Sequence, residues 1–258
     1  HKNSPPELLE RIGNMLAKSQ GAPFLLNFDE ASIRGLKWQG LPEENLWDYA
    51  PVGCLENTLQ GNDRSGTVDV NVNLAKAVEH VFNDGRDAAS GERFGPRTGD
   101  PVRFSSFEQF RSAFESQLDT VIDMFLDAAE EADELRADYE PTPYLSVLVD
   151  GCVKNGKDIT EGGAEHNYIT VEGISFGTVV DSVAAVKKLV FDEKKLTMEQ
   201  LVEALKADFE GHEKVRQMLM NRAPKYGTDN DEADEIARYV NERWTTRCFK
   251  RKTKRTGR

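Results

Sequence analysis

Apolar side chains recur at steps of three and four residues along much of this chain, which is the spacing of an amphipathic helix. The longest such stretch covers 106–136, where aromatic and aliphatic residues form one stripe and predict a single long helix. Pro5 and Pro6 suit the first turn of an earlier helix that ends by Gly21, because a proline there loses no hydrogen bond. Further helices are predicted over 69–83, 143–151, 178–190, 197–209, 211–221 and 230–246.

Polar residues mark the starts of two of these helices. Thr197 precedes Gln200 by three positions, which is the spacing of a capping box in which each side chain binds the other residue's backbone N–H. Asn230 or Asp231 is the expected cap of the helix over 230–246, because short polar side chains are preferred at that position.

Strand signals are few in this sequence. Residues 23–28 form a short apolar run bounded by turn residues and predict a buried strand, and 168–171 predict a second. Two strands do not make a stable sheet, so we expect segments outside this sequence to complete it. The polar, glycine-bearing stretches 54–66, 84–105 and 156–163 are predicted as loops, and the mixed segment 29–53 is expected to pack Trp38 and Trp47.

Composition narrows the class of protein. The chain has 258 residues with 38% hydrophobic and 30% charged side chains, which is enough apolar material for a packed core. No apolar run approaches the roughly 18 residues that a membrane span needs. The net charge of −12 argues against general nucleic-acid binding. Three cysteines in a chain of this length do not form a disulfide framework, so a cytoplasmic protein is expected.

Charge is distributed unevenly along the chain. The last twelve residues carry seven basic side chains and no acidic one. Such a segment can be an anion-binding arm. The favoured interpretation is that it is part of a larger protein that has been cut here. The chain also begins at His1 rather than at a methionine. An acidic cluster is expected to be a solvated helix face rather than a metal site, because no histidine accompanies Glu130, Glu131, Asp133, Glu134 and Asp138.

The main candidate for chemistry is the segment Gly53-Cys54-Leu55-Glu56-Asn57. Cys54 and Glu56 are two residues apart, so in an extended loop their side chains point to the same side. A thiol there can supply or take a hydrogen, and the carboxylate can move a proton. The spacing alone also fits a small buried cysteine beside a surface acid, which is the more common arrangement.

Other reactive residues form no recognisable site. His166 is a candidate base or ligand, although a lone histidine is more often a hydrogen-bonded structural residue. His80 is expected on a helix surface. Cys152 and Cys248 have no metal-type spacing to each other or to Cys54, and no glycine-rich loop carries the lysine of a phosphate site. We therefore expect no metal and no bound cofactor in this chain.

Four segments carry a resemblance to a known family. They are Ser4-Pro-Pro-Glu-Leu-Leu-Glu-Arg-Ile12, Gly53-Cys-Leu-Glu-Asn-Thr58, Thr160-Glu-Gly-Gly-Ala164 and Asp181-Ser-Val-Ala-Ala-Val-Lys-Lys-Leu189. Over essentially its whole length the chain resembles glycyl radical enzymes of the pyruvate formate-lyase superfamily. The resemblance implies an α/β fold, part of a ten-stranded α/β barrel with the cysteine loop inside it and mainly helical in this piece.

The resemblance also implies roles for the two candidate residues. Cys54 corresponds to the thiyl radical residue and Glu56 to its acid/base partner. The radical rests on a glycine elsewhere and is installed by an iron–sulfur activating enzyme that uses S-adenosylmethionine. The implied partners are a small-molecule substrate, that activating enzyme, and a second copy in a homodimer of the complete protein. The alternative is that this chain is a small subunit of an assembly.

The sequence departs from the family pattern in two ways. The radical-bearing segment Arg-Val-Ser/Ala-Gly-Tyr is absent from the sequence, and only one cysteine stands where pyruvate formate-lyase has two. Residues 1–258 are therefore expected to be an internal fragment of one catalytic domain, lacking the N-terminal half-barrel and the radical glycine. By itself such a fragment is expected to be inactive, and acetyl transfer to a second cysteine is not expected.

The residues around Cys54 suggest a reaction. In the family that the chain resembles, diol dehydratases and carbon–nitrogen lyases usually carry the motif Gly-Cys-Val-Glu-Pro. Here Leu55 stands in place of the Val, and Asn57 and Thr58 stand in place of Pro-X. This version resembles arylacetate decarboxylases of the 4-hydroxyphenylacetate type, so decarboxylation of an arylacetate is the expected activity. The alternatives are a dehydratase or other carbon–heteroatom lyase acting on a diol or amino-alcohol, and a non-catalytic interaction module.

Overall fold

Helices make up most of the chain in a computed structural model, which describes residues 4–19, 29–53, 56–64 and 68–252. The helices are α1 Pro6–Ser19, α2 Asp29–Trp38, α3 Ala75–Phe82, α4 Phe107–Tyr139, α5 Pro143–Ser146, α6 Cys152–Asn155, α7 Phe176–Ala185, α8 Met198–Lys206, α9 Glu213–Arg222 and α10 Asp231–Lys250. A π-helical segment continues α7 over Val186–Asp192, and short 3-10 turns cover Glu43–Asn45, Pro101–Arg103 and Ile159–Glu161. No helix among the described residues is long and apolar enough to cross a membrane.

Short strands in the described part of the chain pair two by two. They are β1 Tyr49–Val52, β2 Glu56–Leu59, β3 Asp63–Arg64, β4 Val70–Asn73, β5 His166–Asn167 and β6 Val171–Ile174. β1 and β2 form an antiparallel hairpin, whereas β3 with β5 and β4 with β6 are parallel. Parallel pairing needs a long crossover connection, and here that connection contains α3 and α4. The predicted strand over 23–28 lies outside the described residues.

The main core forms around α4. Its apolar stripe is buried because residues at three- and four-residue spacing face the same side, and Phe110, Phe114, Leu118 and Ile122 are fully inaccessible. Burying each such side chain stabilises the fold by about 1.5–3 kcal/mol. α4 packs against α3 and α10, and Ser106 caps its first turn by accepting from the Gln109 N–H. The long helix predicted over 106–136 is confirmed.

Helix starts follow the expected caps. The Thr197 hydroxyl accepts from the Gln200 N–H at 3.1 Å, and the Gln200 amide oxygen accepts from the Thr197 N–H at 3.0 Å. Asn230 caps α10 by accepting from the N–H groups of Glu232 and Ala233. Both capping predictions are confirmed because these side chains satisfy backbone donors that have no partner inside the helix.

A ladder of ion pairs fixes α10 along α4. Arg243 donates twice to Asp119, at 2.8 and 2.9 Å, and Arg247 donates to Asp119 at 2.8 Å and also to Asp123. Arg251 continues the ladder to acids one turn further along α4. α10 therefore runs to Lys250 rather than stopping at 246, and Arg247 and Arg251 of the C-terminal stretch are paired along α4 instead of belonging to a free arm.

The acidic cluster is only partly a solvated face. Asp133 is buried at 5% exposure and lies 3.6 Å from Arg64, and Glu130 pairs with Arg251. The remaining three acids are exposed, as expected. Apolar periodicity alone does not show that basic side chains from β3 and α10 approach α4.

Several predicted elements differ from the structure. The first part of the helix predicted over 69–83 is strand β4, because Val70 and Val72 pair with β6 and only then does α3 begin. The loop predicted over 54–66 contains β2 and β3, whose polar residues are held by pairing rather than by apolar alternation. The helix predicted over 143–151 ends at Ser146, and the strand predicted over 168–171 begins only at Val171.

The two tryptophans expected to pack lie largely at the surface. Trp47 is 71% exposed and Trp38 is 53% exposed. Trp38 stacks on Phe249 with ring centroids 3.9 Å apart, so it ties α2 to α10 from the outside. The buried residues of this region are aliphatic instead and form a small core of Leu36, Leu41, Leu46 and Leu59.

Candidate active site

The β1–β2 hairpin carries the cysteine segment. Val52 pairs with Glu56 at one end of the antiparallel pair. Gly53 has φ of +54°, a left-handed conformation that glycine adopts without strain. Cys54 and Leu55 lie outside the described residues, so the structure places the carboxylate of the predicted pair and leaves the thiol's role a prediction.

Glu56 is the first residue of β2 and is half-buried. Its Oε2 atom is inaccessible and has no hydrogen-bond partner among the described residues. The carboxyl group lies over Gly53, since a Cβ added there would be 3.1 Å from Oε2. Leaving a buried carboxyl oxygen unpaired is costly, so this arrangement does not serve stability and leaves an acceptor for a ligand. The Glu56 carboxyl thus lies against Gly53, the residue that precedes Cys54 in the sequence.

A second carboxyl group, that of Glu172 on β6, feels the charge of Glu56. Burial, and then interaction with the Glu56 carboxyl, raise the pKa of Glu172. Sequence reasoning missed Glu172, because a glutamate between Val171 and Gly173 carries no motif and lies far from Glu56 along the chain.

A cavity of about 910 Å³ opens beside the Glu56 carboxyl. Its volume lies in the range of small-molecule sites, which combine apolar walls with a few polar groups. The polar lining includes Glu56, Asn57, Asp63 and Asn167, and aromatic walls come from Tyr168 and Trp244. The Oδ1 atom of Asn167 is buried and without a partner among the described residues, so it is a second acceptor available at this cavity.

A largely buried ion-pair network centres on Asp69. Asp69 accepts two hydrogen bonds from Arg64, at 2.7 and 2.8 Å, one from Arg136 at 2.8 Å and one from the Thr170 N–H at 2.8 Å. Burial opposes ionisation of Asp69, but these donors, with Arg64 first, outweigh it and lower the pKa of the carboxyl. The network fixes β3, α4 and the 168–170 segment relative to one another.

His166 is not part of this site. It lies in β5 and is 95% buried, since its exposed fraction is 5%, and neither ring nitrogen has a hydrogen-bond partner among the described residues. The expected hydrogen-bonded structural role is therefore wrong for this histidine. His166 is also not among the described residues that line the cavity beside Glu56.

A cluster formed by α3 and the loop after it has metal-type ligands but already contains a lysine ammonium. Ligand atoms of Glu79, His80 and Asp87 lie within 4.8 Å of one another. The Lys76 ammonium donates to both carboxylates, at 3.0 and 2.5 Å, and so already offsets part of their charge. His80 is buried rather than on the surface as predicted, and burial lowers its pKa.

The two described cysteines are unreactive thiols. Burial, and then the charge of Asp158, raise the pKa of Cys152, which lies away from the cavity. Cys248 lines the cavity, but burial raises its pKa to about 12. Since the thiolate is the nucleophile, neither thiol is activated for ionic chemistry.

Comparisons with known proteins cover the whole chain. The model of the family described as "Pyruvate formate lyase-like" matches residues 1–258. The chain is 33% identical over 258 residues to (2S)-3-sulfopropanediol dehydratase of Klebsiella oxytoca, covering 100% of this chain and 31% of the relative. It is 35% identical over 239 residues to trans-4-hydroxy-L-proline dehydratase of Clostridioides difficile, covering 93% and 30%. The chain thus spans about a third of the length of these curated relatives.

Solved structures agree with the sequence matches. The B12-independent glycerol dehydratase from Clostridium butyricum superposes with a TM-score of 0.86 at 34% identity, covering 99% of this chain and 32% of that one. A glycyl radical enzyme from Archaeoglobus fulgidus has a TM-score of 0.79 at 30% identity, covering 95% and 31%. Indoleacetate decarboxylase of Tractidigestivibacter scatoligenes is more distant, at 25% identity over 248 residues, covering 84% of this chain and 27% of that protein.

Proposed function

The chain belongs to the pyruvate formate lyase-like family, and we propose that it carries the thiol–carboxylate loop of a glycyl radical lyase that cleaves a carbon–heteroatom bond. The favoured reaction is dehydration of a diol or a related hydroxylated substrate. The observation that carries this proposal is the Glu56 carboxyl, which lies against Gly53 with a buried, unpartnered oxygen beside a cavity.

Family membership settles the fold class. The expected fold, part of a glycyl radical enzyme α/β barrel that is mainly helical in this stretch, is confirmed by the superpositions. The parallel pairs β3–β5 and β4–β6, with helices in their crossover, are barrel-type elements. The division of residues 1–258 as one catalytic domain remains a proposal.

The roles of the chain's own residues follow from their chemistry. The Cys54 sulfur, once oxidised to the thiyl state, takes a hydrogen atom from a hydroxyl-bearing carbon of the substrate. Glu56 takes the proton of that hydroxyl, the neighbouring carbon–oxygen bond breaks with its electron pair leaving as hydroxide, and a proton converts hydroxide to water. The Cys54 thiol then returns its hydrogen atom to the product. A glycyl radical elsewhere supplies the oxidising equivalent that generates the thiyl state.

The similarity to dehydratases supports cleavage of a carbon–heteroatom bond rather than the arylacetate decarboxylation that the residues around Cys54 suggested. Of the three positions behind that expectation, Thr58 is buried and donates its hydroxyl hydrogen to the Ala50 carbonyl at 3.3 Å, so it serves the hairpin rather than a substrate. Asn57 lines the cavity and donates to the Ser32 hydroxyl at 3.2 Å. The two dehydratases are 33% and 35% identical to this chain, against 25% for the decarboxylase.

Arylacetate decarboxylation remains a second candidate because of the cavity walls. Trp38, Tyr168 and Trp244 line the space beside Glu56, and aromatic walls of this kind can hold an aryl ring. In that reaction Cys54 returns a hydrogen atom to a benzylic-type radical after loss of carbon dioxide, and Glu56 moves a proton.

Product analysis separates the two reactions. The complete gene product, activated without oxygen, is supplied in parallel with diols, amino-alcohols, hydroxylated amino acids and arylacetates. We expect an aldehyde or another dehydrated product from a hydroxylated substrate and no methylarene. Release of carbon dioxide and a methylarene from an arylacetate, with no reaction of hydroxylated substrates, would replace the dehydratase proposal with the decarboxylase.

The required partners are also proposals. Oxidation of Cys54 needs an activating enzyme that uses an iron–sulfur cluster and S-adenosylmethionine, and we propose that this protein is its substrate. We further propose that the complete protein is a homodimer, with assembly as a small subunit as the alternative.

A further inference from the structure

Asn167 lines the cavity beside Glu56 and its side chain is held in one orientation. The residue is only 8% exposed. Its amide nitrogen donates to the Ala164 carbonyl at 2.8 Å and to the Gly162 carbonyl at 3.4 Å. Carbonyl oxygens can be satisfied only by the NH₂ side of an amide, so the opposite flip would set oxygen against oxygen. The amide oxygen of Asn167 is therefore the atom left for another partner.

The loop that receives these hydrogen bonds is closely packed. A Cβ added at Gly163 would lie 2.2 Å from the Lys157 carbonyl oxygen, and the Asn155 side chain donates to the Gly163 carbonyl at 3.0 Å. At the start of β5, the His166 N–H donates to the Asn62 carbonyl at 3.0 Å and joins the loop to the segment before β3. The fold thus sets the orientation of the Asn167 amide before any ligand binds, which lowers the entropic cost of binding one.

The wall of this cavity carries two buried oxygens that have no partner among the described residues. They are Oε2 of Glu56 and Oδ1 of Asn167. Other polar groups of the wall are in use, since Asn57 donates to the Ser32 hydroxyl and Asp63 accepts from a backbone N–H. An amide oxygen only accepts hydrogen bonds, and Glu56 accepts a proton in the proposed reaction. A ligand that satisfies both oxygens must therefore bring two donors.

We propose that Asn167 is a substrate-binding residue that selects substrates with a second hydrogen-bond donor beside the hydroxyl whose proton Glu56 takes. This inference rests on the proposed function and narrows its substrate class to diols and amino-alcohols. The second donor is a hydroxyl or an ammonium group that binds the Asn167 oxygen. An ionised arylacetate brings no donor to this oxygen, so Asn167 gives it no affinity.

Binding to the unactivated complete gene product tests this selection without turnover. Propane-1,2-diol and 1-aminopropan-2-ol add a second donor to the frame of propan-2-ol, and phenylacetate is the probe without a donor. Dissociation constants come from saturation-transfer NMR titrations. We expect the wild-type protein to bind at least one two-donor probe about 10-fold more tightly than propan-2-ol, because propan-2-ol leaves a buried acceptor unpaired. This comparison needs no variant, so the test holds even if a substitution folds poorly.

Two variants assign the preference to a residue. Asn167→Ala should reduce it to about 2-fold or less and leave the affinity for phenylacetate unchanged. Asn155→Ala is the matched control, because it also removes a hydrogen bond to the 162–164 loop but is not among the described residues that line this cavity. It should keep the wild-type preference.

Three results would overturn the proposal. They are a wild-type protein that prefers neither two-donor probe over propan-2-ol, a preference that survives Asn167→Ala, and a preference that is lost equally in Asn155→Ala. Because the protein is not activated, such a failure leaves the proposed lyase reaction untouched. Selective binding in a protein that transforms no hydroxylated substrate after activation would uphold Asn167 and contradict the proposed function.

Steady-state kinetics separates binding by Asn167 from the chemistry of Glu56. A contact that is equally strong before and during the reaction affects KM and leaves kcat unchanged. In the active enzyme, Asn167→Ala should therefore raise KM for a diol or amino-alcohol substrate by about 10-fold with little change in kcat. A fall in kcat with no change in KM would contradict a binding role.

Discussion

Gly53→Ala tests two roles of this glycine: its left-handed backbone conformation, which affects stability, and the space it leaves for the Glu56 carboxyl, which affects activity. At φ of +54° an alanine is in the left-handed region, which costs an L-residue roughly 1–2 kcal/mol. The added Cβ would also lie 3.1 Å from Glu56 Oε2, 3.6 Å from Oε1 and 3.7 Å from Cδ. These atoms are the end of a flexible side chain, so they can move away at little further cost in stability.

The same movement is expected to be costly for activity. A shift of the Glu56 carboxyl by a few tenths of an ångström changes the position of a proton acceptor relative to the substrate. Misplacing a reacting group by ~1 Å costs about 100-fold in rate, so we expect Gly53→Ala to lower kcat by about 10- to 100-fold.

Gly61 offers a matched control on the other side of β2. It also has a positive φ, +84°, but nothing lies within 4 Å of a Cβ placed there. Urea unfolding should therefore show similar losses of about 1–2 kcal/mol for Gly53→Ala and Gly61→Ala. Only Gly53→Ala should lose kcat when rates are corrected for the folded fraction. Equal kcat values for the two folded variants would refute the placement of Glu56 over Gly53.

Three further predictions follow from the site and its support. Glu56→Gln keeps the size of the side chain but removes proton transfer, and kcat should fall by about 10²–10⁴-fold in steady-state assays. Asp69→Asn removes the carboxylate that accepts two hydrogen bonds from buried Arg64 and should cost about 3–5 kcal/mol in urea unfolding, against less than about 0.5 kcal/mol for exposed Asp150→Asn. The pKa of Asp69 is lowered in the folded protein. The stabilisation by its ionised carboxylate is therefore complete above the unfolded pKa of about 3.9 and is lost as pH falls through the folded pKa. The unfolding free energies of the two Asn variants should therefore converge in acid. Arg243 and Asp119, partly exposed in the α4–α10 ladder, should give a double-mutant coupling of about 1 kcal/mol that declines with added salt.

The helical part of the fold was accessible from the sequence because its signals are local. The stripe from Phe110 to Ile122 and the Thr197–Gln200 capping box depend on residues within a few turns of each other. The strands were less accessible. β3 and β5 are too short to show alternation, and the valines of β4 also fit the helical spacing that continues into α3.

The site was predictable only in part for the same reason. The Cys54–Glu56 spacing and the family resemblance are visible in one segment. Asp69 joins Arg64 of β3 to Arg136 of α4, and Asp133 is buried beside Arg64. Such contacts between distant segments leave no periodic or motif signal in a single sequence, so the ion-pair network and the unpaired oxygen of Glu56 became visible only in the structure.

The role of Cys54 is the central claim, and one measurement tests it directly. The wild-type gene product, Cys54→Ser and the control Cys152→Ser are activated without oxygen, and the glycyl radical is quantified by electron paramagnetic resonance beside turnover of a hydroxylated substrate. A serine O–H bond is too strong for a glycyl radical to break, so Cys54→Ser should keep the radical signal and lose all turnover, whereas Cys152→Ser should keep both. Turnover that persists in Cys54→Ser would remove this thiol from the chemistry and contradict the account.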